Sequence, residues 1–251
     1  MDTPEIALLT TAFVLAGLTK GIVGFGLPTV AVGLGSLVIA PAQAAALLVI
    51  PSLVTNVWQG WDGPDRVGLI NRFGVFLAAL LVSTIAISAL GFTLPAEAVG
   101  SLPFALIGGV LIVYGSLGLV AFQPRVPHRL EPASQPLLGA ITGAVTATTG
   151  LFAFPSAMYL QALGLNRAHL VQALGITFTT GTIGLAIGLT LNGHVTVGVL
   201  GASAAAVLPV LGGMMAGRWL ASRISQSLFR TLFFGALIVL GLRLSFEGFG
   251  H

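Results

Sequence analysis

Lys20-Gly-Ile-Val-Gly-Phe-Gly-Leu-Pro28 and Thr146-Ala-Thr-Thr-Gly-Leu-Phe-Ala-Phe-Pro155 are two hydrophobic stretches broken by glycine and proline, set about half the chain apart. In a bilayer, irregular backbone persists only where protein or a watery cavity satisfies its peptide groups. Two such breaks in matching halves therefore mark where helices open to hold something, as in secondary transporters. The first break also carries a lysine, which points to an anion.

Composition fixes the solvent. Charged residues are 7% and hydrophobic residues 56% of the 251 positions, and apolar stretches fill nearly the whole length. The net charge of +3 arises from Lys and Arg scattered among short loops rather than clustered with aromatics, which argues against a nucleic-acid partner. There is no cysteine, so disulfides, thiolate chemistry and Cys-ligated metals are excluded. The chain opens Met1-Asp-Thr-Pro-Glu5 with no Lys or Arg before Lys20, so its first hydrophobic segment is expected to be retained rather than cleaved as a signal peptide.

Segment lengths repeat. Residues 6 to 19 and 28 to 40 form apolar runs of about 13 to 14, or helices of about 20 Å, short of the roughly 30 Å hydrocarbon core. Each is expected to be half a crossing or a re-entrant arm. Residues 42 to 58, 72 to 91 and 101 to 122 are long enough to span, with a turn at Thr93 to Ala98. After a polar, proline-rich linker the order returns: short arms at 137 to 149 and 155 to 164, then spans at 168 to 191, 195 to 216 and 229 to 246. The expected fold is an all-α integral membrane protein of two inverted-topology repeats, 1–122 and 137–251, joined by a cytoplasmic linker at 123–136. Each repeat is a broken re-entrant helix pair plus three transmembrane helices. Ala42, Leu48 and Ile50 fall on Ala168, Leu174 and Ile176 at an offset of 126, and Pro28 and Pro155 are offset by 127.

Charge placement orients the repeats. If each broken pair returns to its own side, three crossings follow, and the halves enter from opposite faces. Arg66, Arg72, Arg125, Arg129, Arg167, Arg218, Arg223 and Arg230 then share one face, while the turns at 92 to 100 and 192 to 195 on the other have no Lys or Arg. The positive-inside rule makes the arginine loops cytoplasmic and places both termini outside, in a bacterial inner membrane. Trp58, Trp61 and Trp219 fall near the same face, where interfacial indoles belong.

The site follows from the breaks. Lys20 lies too deep to snorkel, and no Asp or Glu occurs inside a proposed span, so an incoming anion is its natural partner. A purely structural role at the hairpin tip is the alternative. Gly21, Gly24 and Gly26 permit an unwound backbone around Phe25, and Pro28 suits the first turn of a new helix whose amides and dipole attract anions. Thr148, Thr149 and Gly150 offer a similar start with hydroxyls, and the two tips are expected to meet near the midplane. Glycines also serve helix packing, and hydroxyls in membrane helices also bond the preceding turn's carbonyl. Asn56, Thr180 and Thr182, inside long spans, are further candidate donors, whereas Gln43 and Gln172 are expected to satisfy helix ends. No cofactor and no metal site is called for. The spans carry neither a cysteine nor an interior carboxylate or His pair for an intramembrane enzyme.

The Gly-x-x-Gly-Phe-Gly-x-Pro segment at Gly21 to Pro28, the length, the polar linker and the duplicated halves together resemble the TauE/SafE (TSUP) family of sulfite and organosulfonate permeases. The resemblance spans the chain. It implies a transporter, in the export direction, of a small sulfur-containing anion such as sulfite or an organosulfonate, with the glycine-rich breaks as its site. The second break departs from the family's glycine-rich pattern by having a single glycine, Gly150. Its expected partners are that anion, the lipid bilayer and a second copy of the chain. The alternatives left by the residues are an anion-selective channel and a carrier of a different small anion.

Overall fold

The computed structural model describes residues 2–92, 102–122 and 124–249, without the side chains of residues 226 and 247–249. The turn expected at Thr93 to Ala98 and the linker's first residue, Gln123, lie outside the described residues. The described residues are mostly helical, with no strand among them. Among the described residues, eleven helices follow in order: α1 (Thr3–Val23), α2 (Leu27–Gly35), α3 (Pro41–Trp61), α4 (Arg66–Ala89), α5 (Leu102–Leu119), α6 (Glu131–Thr149), α7 (Ser156–Ala162), α8 (Arg167–Leu191), α9 (Val197–Ala205), α10 (Val207–Ala221) and α11 (Gln226–Phe249). α1, α3, α4, α5, α8, the α9–α10 stretch and α11 give seven segments long and apolar enough to cross a membrane. The chain is an all-α membrane protein.

Three sequence expectations need correction. α1 does not end at residue 19. It continues through Lys20 and Gly21 to Val23, and its 21 residues are long enough to cross, so the break is only Gly24 to Gly26. The linker does not reach Pro136, because α6 already begins at Glu131. Pro132 fits a first helical turn, where its missing N–H has no partner to lose. The span drawn at 195 to 216 is two helices that reach Ala221 and part at Ala206. Pro209 explains the parting, since it has no N–H for the carbonyl four residues back and its ring crowds that turn.

Contacts divide the helices into two compact units. One gathers α1, α2, α3 up to Pro51, α5 and α9 to α11; the other holds α3 from Ser52, α4 and α6 to α8. Each unit therefore draws on both halves of the chain. In the first, α1 packs on α10 and α5 on α11, with α2 against α1, α5 and α11. In the second, α4 packs on α6 and α8, and α7 touches α6 and α8. The pairing is reciprocal in chain order: the first helix of each half packs on the fourth segment of the other.

Both pairings rest on glycine. A Cβ at Gly17 or Gly21 of α1 would strike the carbonyls of Val210 and Met214, and one at Gly213 or Gly217 of α10 would strike those of Val14 and Leu18. In the second unit, Gly139 and Gly143 of α6 press in the same way on the carbonyls of Phe76 and Leu80 in α4. Lipid tails are as apolar as side chains, so burial alone does not draw membrane helices together. Close backbone approach supplies the dispersion and Cα–H···O contacts that do.

Inside α3, Pro51 removes the N–H that would bond the Leu47 carbonyl. Ser203 of α9 repairs the gap: its hydroxyl donates to Leu47 O at 2.8 Å and accepts from Ile50 N–H at 3.1 Å. Ser203 is fully buried, so no water can substitute.

Two outcomes test this packing by thermal melting of detergent-purified protein. Gly213→Ala is expected to lose about 1–3 kcal/mol through overpacking, whereas Gly212→Ala, with nothing within 4 Å of the added methyl, is expected to be neutral. Ser203→Ala is expected to cost about 1–3 kcal/mol by stranding a carbonyl, and Pro51→Ala in the same chain to recover part of it.

Candidate functional site

The first break is a hairpin tip within the first unit. α1 ends on Gly24, whose φ of 86° is left-handed and whose N–H closes on the Lys20 carbonyl at 2.8 Å. Gly26, at φ 96°, then starts α2. Both positions require a residue without Cβ, and at Gly26 an added Cβ would also stand 2.9 Å from Thr19 Cγ2 and 3.3 Å from Phe233 Cζ. α2 runs back along α1, since a Cβ added at Gly35 would lie 3.8 Å from Leu9 Cδ2, as one at Gly26 would meet Thr19. The two helices form an antiparallel hairpin.

Lys20 sits in the last turn of α1 and is 3% exposed. Gly24 and Phe25 are half-buried, and Gly26 is buried. The tip joins two helix ends of opposite polarity: the carbonyl end of α1, which favours a cation such as Lys20, and the amide end of α2, which favours an anion. In the first turn of α2, the N–H groups of Leu27 and Thr29 have no carbonyl behind them in the helix, and Pro28 has no N–H to satisfy. Thr29 is 1% exposed, and its hydroxyl has no hydrogen-bond partner among the described residues. Sequence reasoning passed over Thr29; its position directly after Pro28, matching Ser156 after Pro155, was the available signal.

The second break, within the second unit, repeats the turn with different chemistry. Gly150 is left-handed at φ 71°, with its N–H on the Thr146 carbonyl at 2.8 Å, so the two glycine caps recur 126 residues apart. Lys20 has Thr146 as its counterpart. The Phe154–Pro155 peptide is cis, and α7 is a seven-residue helix. Here the hydroxyls are engaged locally. Thr148 donates to Ala144 O at 2.9 Å, Thr149 to Val145 O at 2.6 Å, and Ser156 to Phe152 O. Thr180 and Thr182 of α8 likewise donate to Ile176 O at 3.1 Å and Phe178 O at 2.6 Å. A hydroxyl whose hydrogen is engaged this way offers further partners only its lone pairs. Asn56, fully buried in α3, donates to Ser52 Oγ at 3.1 Å. Lys20, Gly24, Phe25 and Gly26 thus gather at one tip, whereas Asn56, Thr148, Thr149, Gly150, Thr180 and Thr182 belong to the other unit.

With this geometry in view, comparison with known proteins gives one result: residues 9–244 match the family described as Sulfite exporter TauE/SafE. The chain belongs to the TauE/SafE family. Neither the curated proteins nor the solved structures give a match. Family membership and seven apolar helices make the chain a membrane transporter, and the family's description supports an anion as its cargo.

Outside the tips, this TauE/SafE chain holds a polar cluster that its sequence did not announce. Glu131, at the first residue of α6, accepts two bonds from the Arg72 guanidinium of α4, at 2.6 Å from Nε and 2.8 Å from Nη2, and lies 3.3 Å from His128 Nδ1. Gln135 donates to Arg72 O at 2.9 Å, and Tyr159 of α7 reaches Ser134 Oγ at 3.2 Å. Val126 N–H also closes on Ala162 O at 3.0 Å. These bonds show that α7 returns to the level where α6 begins. Arg72 is therefore more than a topology signal. Gln172 does serve helix ends: it accepts from Asp65 N–H at 3.0 Å, where α4 begins, and donates to Gly60 O at 3.2 Å near the end of α3. Exposed Trp61 and Trp219 each carry a stacked arginine, Arg66 at 3.7 Å and Arg223 at 4.0 Å, as interfacial indoles do.

The paired Arg72 guanidinium holds the Glu131 carboxyl below its ordinary value of 4.5, against the opposing effect of burial. A depressed carboxyl stabilises the folded state above the ordinary value and loses that contribution as pH falls through the depressed one. Glu131→Gln is expected to melt lower than wild type at pH 7, by about 1–2 kcal/mol since Arg72 is one-third exposed. Melting curves should converge as the pH is taken well below 4.5.

Proposed function

We propose that the protein exports a small sulfur-containing oxyanion, sulfite or an organosulfonate, and that the anion is held at the α1–α2 tip. One observation carries the reading: a lysine 3% exposed, in the last turn of α1, placed beside a glycine break that opens the amide end of α2. A cation at membrane depth is retained where it has a task, and here charge and helix polarity favour the same ligand. Lys20 supplies charge, and the Gly24, Phe25 and Gly26 backbone with the first turn of α2 orients oxygens. Within the second unit taken by itself, Asn56, Thr148, Thr149, Gly150, Thr180 and Thr182 are proposed as a further set of anion contacts, the threonines by turning their hydroxyls from the carbonyls they bond. The family's description supports sulfite as the first candidate.

The two halves, 1–122 and 137–251, are proposed to be inverted repeats working by alternating access, with the arginine loops cytoplasmic and both termini outside. Support comes from the glycine caps 126 residues apart and from the reciprocal packing of first helices on fourth segments. Proteoliposome flux of sulfite and sulfoacetate tests the proposal. Lys20→Ala is expected to lower flux at least tenfold while leaving the protein folded, as judged by its elution profile. Wild-type flux in this variant would remove Lys20 from the mechanism.

A further inference from the structure

We infer that the Thr29 hydroxyl is a ligand donor, making the α1–α2 tip a seat for an oxyanion with at least two acceptor oxygens. The inference rests on the proposed anion site and adds a side chain to it. Thr29 is in the first turn of α2, a helix of nine residues, and is 1% exposed with its Oγ1 lacking any partner among the described residues. Buried hydroxyls are nearly always hydrogen-bonded, so one left open calls for a partner that the folded chain does not itself supply.

Direction is set by helix geometry. Every Cα–Cβ bond tilts toward its helix's N-terminus, so the Thr29 side chain leans toward Gly26 and the tip. Other threonines in the chain show what a helical hydroxyl does by default: Thr19 donates to Leu15 O at 2.9 Å, and Thr142 to Leu138 O at 2.7 Å. Ser156, following Pro155 as Thr29 follows Pro28, donates to Phe152 O. The counterpart acceptor for Thr29 would be Phe25 O, in the left-handed break between Gly24 and Gly26, and that bond is not made. The amides of Leu27 and Thr29 and the Thr29 hydroxyl are then three donors within one turn. One anion oxygen takes the hydroxyl, another the amides, and the Lys20 ammonium balances the charge.

Purified full-length protein, titrated with sodium sulfite and followed by thermal melting, tests this against Thr29→Val, Thr29→Ala, Thr29→Ser and Lys20→Ala. Thr29→Val preserves shape and removes the hydroxyl. Without anion it is expected to melt at or above the wild-type temperature, because no protein bond is lost. Sulfite's half-stabilising concentration should rise about ten- to a hundredfold, the range for a hydrogen bond to a charged group. Thr29→Ser should stay within about threefold of wild type. A Val variant that keeps the wild-type response while Lys20→Ala loses it would overturn the Thr29 assignment alone. A wild type that no concentration of sulfite or sulfoacetate stabilises would overturn the anion site and this inference with it. Val and Ala variants that both melt lower without anion, or fail to fold, would show a structural hydroxyl and overturn the assignment as well.

Discussion

A peptide group in hydrocarbon has no water to bond, and the rest of this structure is arranged around that constraint. Helices satisfy their own interiors and leave the ends to be solved one by one. At Gly24 and Gly150 the solution is a left-handed glycine whose N–H turns back on the last helical turn. At Pro51 it is a serine from another helix, Ser203, bonded to the carbonyl that proline abandons. At the junction of α3 and α4 it is Gln172, which bonds the backbone of both. The first turn of α2 is the place where the proposed anion would make such a repair.

The same constraint accounts for much of the glycine. With backbone bonds closed inside each helix and lipid as the competing solvent, association depends on how near two helices can come. Gly17 and Gly21 facing Gly213 and Gly217 bring α1 and α10 into backbone contact, and that contact fixes the helix whose last turn carries Lys20. A buried lysine depends on such rigidity, because its charge is useful only if its helix cannot tilt the ammonium back toward water.

Most of the fold was legible because membrane helices announce themselves by length and hydropathy: Arg167 to Leu191 was placed within one residue at each end. The misplacements have local causes. Glycine in a hydrophobic run reads as a break at Gly21, whereas tight packing against α10 accompanies a helix that continues through it. Proline was read as an end at Pro136, which instead lies inside a helix. The Arg72–Glu131 pair joins residues 59 apart and leaves no periodic trace in sequence. Thr29 was overlooked for the opposite reason: a hydroxyl after a proline is common, and only its missing partner singles it out.

The two tips share a turn and differ in what their side chains have left to give. In the second, the hydrogens of Thr148, Thr149 and Ser156 are directed to carbonyls, so they can donate to an anion only by breaking those bonds. In the first, a buried lysine in the last turn of α1 and, in the first turn of α2, a buried threonine hydroxyl with no partner among the described residues stand on the two sides of one glycine break, with no acidic side chain in either helix between Leu9 and Gly35. An anion that must shed water needs donors already in place, since donors that first have to break bonds of their own return little on binding. The duplicated turn is therefore a shared frame, and the electrostatic asymmetry between Lys20 and Thr146 is the reason the proposed anion is assigned to the first copy.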